Sequence, residues 1–129
     1  MNMRLAKESS SLHYLHNYRR IYWEFQNNAI NSDEKKIVER FLALITATAE
    51  KVLKAKKVPN LKDSAIKDEL QLRELYYDTL QHSFLNPQKK TSEEIIDILQ
   101  KKYGVQLNAS KLSKLKQKSV IAFASVLDL

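Results

Sequence analysis

An all-α fold of about five helices is predicted by three observations. Breakers are scarce, with Gly104 the single glycine and Pro59 and Pro87 the two prolines. Apolar residues recur at helical spacing in five separate stretches. Asn31 with Glu34, and Thr91 with Glu94, have the spacing of capping boxes, in which each side chain satisfies an orphan amide of the first turn. So few breakers argue against a turn-rich sandwich or barrel and against a phosphate-cradling glycine loop. The 129 residues are expected to form one domain, burying roughly two-thirds of the unfolded surface.

The first helix is expected from near Ser10 to near Asn28, after a polar, frayed stretch over 1–9. Leu12, Leu15, Tyr18, Tyr22 and Phe25 form its apolar face, thickened by Tyr14, Ile21 and Trp23. The second runs from about Asp33 to Lys57, with Ile37, Phe41, Leu44 and Thr48 in one row and Val38, Leu42, Ile45, Ala49 and Val52 in the next. Lysines crowd its last turns, where cations complement the helix dipole, and Pro59 stops it. The third, about 64–84, takes Asp63 as N-cap and places Ile66, Leu70, Tyr77, Leu80 and Phe84 on one face, flanked by Leu72, Leu75 and Tyr76. Asn86-Pro87 ends it. The fourth runs from about Ser92 to Tyr103, and Gly104 stands where a left-handed residue is wanted. Val105-Gln106-Leu107 connects it to a fifth helix capped by Asn108 or Ser110, with Leu112, Leu115, Ala122, Phe123 and Val126 on the buried face. Residues 10–57 are expected to form a helical hairpin that dimerises or packs back on the third helix, and residues 63–129 a helix-turn-helix unit.

Charge distribution narrows the function. The net charge is +7 and the isoelectric point near 9.5. A basic balance suggests an anionic partner: nucleic acid, a membrane surface or an acidic protein. Residues 51–62 hold Lys51, Lys54, Lys56, Lys57 and Lys62 and no acid. Between Asp97 and Asp128 no acid occurs, while Lys101, Lys102, Lys111, Lys114, Lys116 and Lys118 all fall there. Cysteine is absent, which excludes disulfides, a thiol nucleophile and a thiolate metal site. MNMRLAKESSS lacks the apolar run of a signal peptide, and the apolar stretches are too short to span a membrane. A cytoplasmic location is the expectation.

Residues 91–118 have the order of a helix-turn-helix: a capped helix, Gly-Val, a short polar turn, then a helix opening on small polar residues and lysines. Val105 would plug the angle, with Leu99, Tyr103, Leu112 and Leu115 facing a shared core. Asn108, Ser110, Lys111, Lys114, Gln117 and Lys118 lie off that buried row, and Lys111, Lys114 and Lys118 share one stripe. Lysines of such a stripe, joined by Lys101 and Lys102, neutralise phosphates, and Asn, Gln and Ser near the helix start touch base edges. The turn from Gly104 to Ser110 is longer than that of a compact helix-turn-helix, and Gln100 stands where a small residue is usual.

The stretch LRELYYDTLQHSFLNPQKKTSEEIIDILQKKYGVQLNASKLSKLKQKSVIAFASVL resembles the C-terminal part of ArpU-type phage late-gene transcriptional regulators, relatives of the RinA activators. Those are similar in turn to the fourth region of bacterial sigma factors. A tyrosine-rich helix, a Ser-Glu-Glu-Ile helix, a turn and a lysine-bearing helix running into Ala-Phe-Ala carry the likeness, over about residues 70–127. The resemblance implies sequence-specific binding of a phage or prophage promoter, with duplex DNA, RNA polymerase and a second copy of the chain as partners.

Other groups carry weaker signals. His13 and His16 have the spacing of half a metal site, without a third ligand cluster, and His82 is solitary. Tyr14, Tyr18, Arg19, Arg20, Tyr22 and Trp23 interleave aromatics with arginines, a pattern that suits core packing or stacking on single-stranded bases. No Ser/His/Asp set, carboxylate pair or nucleotide fingerprint stands out, so neither an enzyme nor a cofactor or metal is expected. Three classes stay open: a DNA-binding regulator first, then a basic helical phage protein that binds another protein, then an RNA-binding module.

Overall fold

The computed structural model describes residues 3–27, 31–60, 66 and 68–127. It is all-helical: α1 (Met3–Gln26), α2 (Ser32–Val52), α3 (Glu69–Leu80), a π-helical turn (Gln81–Leu85) that extends α3, α4 (Ser92–Tyr103) and α5 (Ala109–Val126). Among the described residues there is no strand, and no helix is long and apolar enough to cross a membrane.

Helix α5 is the hub, touched by each of the other four helices. One apolar cluster runs through all of them, including Leu15 and Tyr18 of α1, Ile45 and Ala49 of α2, Leu75 and Tyr76 of α3, Ile95 and Leu99 of α4, and Leu112, Leu115 and Phe123 of α5. The N-terminal pair is thus absorbed within the chain: α1 packs on α5, and α2 on both α5 and α3. The Tyr14 and Phe41 rings meet edge-on at 5.6 Å where α1 crosses α2. The buried Thr79 and Ser119 hydroxyls fold back onto their own helices, Thr79 Oγ1 donating to the Leu75 carbonyl at 2.7 Å and Ser119 Oγ to that of Leu115 at 2.8 Å, whereas the buried Ser11 hydroxyl has no partner among the described residues.

Several boundaries differ from expectation. Helix α1 begins by Met3, not near Ser10, because Arg4 to Glu8 are strong helix formers and no breaker precedes the serines. Helix α2 stops at Val52 instead of Lys57. Beyond it Ala55 and Val58 turn into the core, and their segment is tied to α3: Arg73 Nη1 donates to the Ala55 carbonyl at 2.9 Å, and the Tyr76 hydroxyl donates to the Pro59 carbonyl. Those anchors, and the bias of Val58 away from helix before proline, override the lysines' helix propensity. Asp63 lies outside the described residues; α3 is capped by Asp68, whose carboxylate accepts from the Leu70 amide at 3.1 Å. The buried face of α3 is Leu72, Leu75, Tyr76, Thr79 and Leu80, while Leu70 is 50% exposed and Tyr77 half-buried. In α2, Ile37 likewise faces solvent at 68% exposure. Asn31 caps α2 through its side chain, which accepts from the Glu34 amide at 3.0 Å.

Candidate nucleic-acid interface

The α4–α5 corner is built as its residues dictate. The Thr91 hydroxyl accepts from the Glu94 amide at 3.2 Å, and the Glu94 carboxylate accepts from the Thr91 amide at 3.1 Å, closing a full capping box. These bonds hold the Glu94 carboxyl below its ordinary value. Helix α4 ends at Gly104 in the left-handed region (φ 68°), a conformation that a side chain disfavours. Val105 is buried in the angle, and Leu99, Leu112 and Leu115 are buried where the helices meet. Gln100 explains itself here. Its Oε1 accepts from the Leu107 amide at 2.8 Å, bracing a turn too long to be held by backbone bonds alone.

The back of α4 is fastened to α3 by Asp78. This carboxylate, 16% exposed, accepts from Lys102 Nζ at 2.6 Å and from the Tyr103 hydroxyl. The bond to Asp78 raises the lysine pKa, and burial, reinforced by Asp78, pushes up that of the tyrosine. His82 stands one turn further along, its Nδ1 buried without a partner. Burial first, then the charge of Lys90, holds its pKa below the ordinary histidine value; Asp78 opposes this and Lys102 adds to it.

The eight residues expected to meet nucleic acid therefore separate into three groups. Lys101 pairs with Asp97 at 3.0 Å and Lys102 with Asp78, so both carry carboxylate partners. Asn108 is extended and caps α5, its Oδ1 accepting from the Lys111 amide at 2.8 Å. Ser110, Lys111, Lys114 and Gln117 are exposed, and Lys118 is half-buried. No carboxylate pairs with Lys111, Lys114 or Lys118 among the described residues. Beside this face, α1 and α5 border a groove of about 450 Å3. Leu12, Phe84, Val120 and Ile121 line it together with the polar side chains of Glu8, His16, Ser113, Lys116 and Gln117.

No family model, curated protein or solved structure matches the chain.

Most of the aromatic and arginine side chains singled out on α1 have partners within the chain. Tyr18 is buried, its pKa raised by burial and by Tyr22, and Tyr22 meets Trp23 edge-on at 5.4 Å. Arg19 Nε donates to the Asn86 carbonyl at 2.8 Å, and Trp23 Nε1 to that of Pro87 at 2.9 Å, so this part of α1 clamps the turn before α4. Arg20 pairs with Glu24. His16 packs edge-on against Phe84 at 5.5 Å, and no group of three metal-ligating side chains occurs among the described residues. Sequence reasoning missed Asp78, Gln100 and the Arg73 and Tyr76 anchors, since partners 7 to 25 residues apart leave no local pattern.

Proposed function

We propose that the chain is a sequence-specific, DNA-binding transcriptional regulator acting in the cytoplasm. One observation carries the reading: the first half of α5 presents Ser110, Lys111, Lys114, Gln117 and Lys118 beyond a buried corner, and no carboxylate pairs with these lysines among the described residues. A helix so presented suits a major groove, its lysines on phosphates and its Ser and Gln on base edges. The likeness of residues 70–127 to ArpU- and RinA-type regulators favours a phage or prophage promoter as target and RNA polymerase as a further partner. A second copy would set two such helices one duplex turn, or a multiple of it, apart. Selection from random duplexes, with counter-screens on RNA and single strands, tests the reading. Duplex binding with ~4–6 phosphates neutralised gives a slope of log K on log salt of about −4 to −5. No duplex binding at low salt refutes it.

The groove between α1 and α5 favours a second reading, an adaptor that seats the apolar face of a helix of another protein against Leu12, Phe84, Val120 and Ile121. Preference for such a peptide over every duplex in the selection supports that reading instead.

A further inference from the structure

Lys54, Lys56 and Lys57 lie outside the helix in which their composition placed them, on an ordered segment whose inner side is spoken for. Backbone bonds from the Leu53, Lys54 and Ala55 amides to the last carbonyls of α2 close its first turn. Ala55 and Val58 are buried, and the carbonyls of Ala55 and Pro59 accept from Arg73 and Tyr76. Burial pushes the Tyr76 hydroxyl pKa up to about 12, so it stays protonated and donating. The alternation leaves Lys54, Lys56 and Lys57 exposed on a fixed backbone. The Arg73 guanidinium adds a further cation beneath them, its Nε buried without a partner.

Asp68 is engaged as the N-cap of α3, and neither Glu50 of α2 nor Glu69 of α3 forms an ion pair with Lys54, Lys56 or Lys57 among the described residues.

Arg73 and Tyr76, which hold the segment, are in the first half of α3.

We propose that Lys54, Lys56 and Lys57 form a second phosphate-binding surface, which grips the backbone of duplex DNA without reading its sequence. This rests on the DNA-binding reading above. Exposed lysines on a rigid segment supply charge at low cost in ordering, and phosphate contacts position a protein while carrying no base preference.

The test is a salt titration of the full chain on the duplex preferred in the selection. Lys54→Gln/Lys56→Gln/Lys57→Gln is compared with Lys111→Gln/Lys114→Gln/Lys118→Gln. The first variant should lower the magnitude of the slope of log K on log salt by about 2–3, close to 0.9 per lost contact, with base preference unchanged. Lys56→Gln alone should lower it by about 1. All three side chains point to solvent, so melting stays at the parent value, which a circular dichroism scan verifies. A parent-like slope in the first variant, with binding lost in the second, overturns the lysine surface and leaves the regulator reading standing. Absence of duplex binding by the parent chain overturns both.

Discussion

Asn108 occupies the one position where folding and recognition can be separated by choice of substitute. Its Oδ1 accepts from the Lys111 amide at 2.8 Å, while its Nδ2 has no partner among the described residues. Losing a cap of this kind costs about 1 kcal/mol, within a range of roughly 0.5–2. Helix α5 touches every other helix, so the loss is felt by the whole fold rather than as local fraying. For a chain of 129 residues, ~1 kcal/mol lowers the melting temperature by about 3–5 °C. Serine caps as well as asparagine does. Asn108→Ala should therefore melt about 3–5 °C below the parent, and Asn108→Ser within about 1 °C of it. If the Nδ2 amide reads a base, Asn108→Ser should still lose about 1–3 kcal/mol at the preferred duplex, or roughly 5- to 150-fold in affinity. Thermal melts by circular dichroism and anisotropy titrations measure the two effects independently. Equal melting of the two variants refutes the cap argument. Parent-like discrimination between duplexes by Asn108→Ser removes Asn108 from the reading face.

Three further outcomes follow from the packing and the charges. Leu115→Ala, at a fully buried site in the shared core, should cost about 2–5 kcal/mol in urea unfolding, because it leaves a cavity. Tyr103→Phe deletes one bond to the Asp78 carboxylate and should cost about 1.5–3 kcal/mol, whereas Lys102→Ala, with its side chain 57% exposed, should cost at most about 1. Equal losses in the two variants would contradict the burial argument. The third outcome concerns pH: His82 has a folded pKa below its unfolded value, so the unfolded chain takes up that proton first. Its contribution is complete above about pH 6.5 and is lost as the pH falls toward the folded value. Melting temperature should drop between pH 7 and 5, and more steeply in the parent than in His82→Gln.

Much of the fold was legible because it is written in nearest-neighbour chemistry. Thr91 to Glu94 and Gly104 mark both ends of α4 within single turns of helix, and the structure places those ends where the residues imply. Local signals fail where a distant partner decides. The lysines after Val52 favour a longer α2, yet Arg73 and Tyr76 pull that backbone out of the helix. The apolar stripe through Leu70 and Tyr77 competes with one through Leu72, Leu75 and Thr79, and only the position of α5 selects the second. At the candidate interface, the exposed lysines of α5 were visible as an acid-free run. The carboxylates that occupy Lys101 and Lys102 were not equally accessible. Asp97 lies one turn away, but Asp78 sits 24 residues back on another helix.

The central position of α5 bears on how quickly the protein can commit to a partner. A recognition helix at the edge of a domain can fray and must be ordered when it docks, which slows association and weakens it. Here Leu112, Leu115, Val120 and Phe123 nail α5 into the middle of the molecule. Its outward lysines ride on a rod that can loosen only when the entire bundle opens. Amide hydrogens from Leu112 to Phe123 should consequently exchange at the rate of global opening, and they should gain little protection from a bound duplex beyond what the whole chain gains.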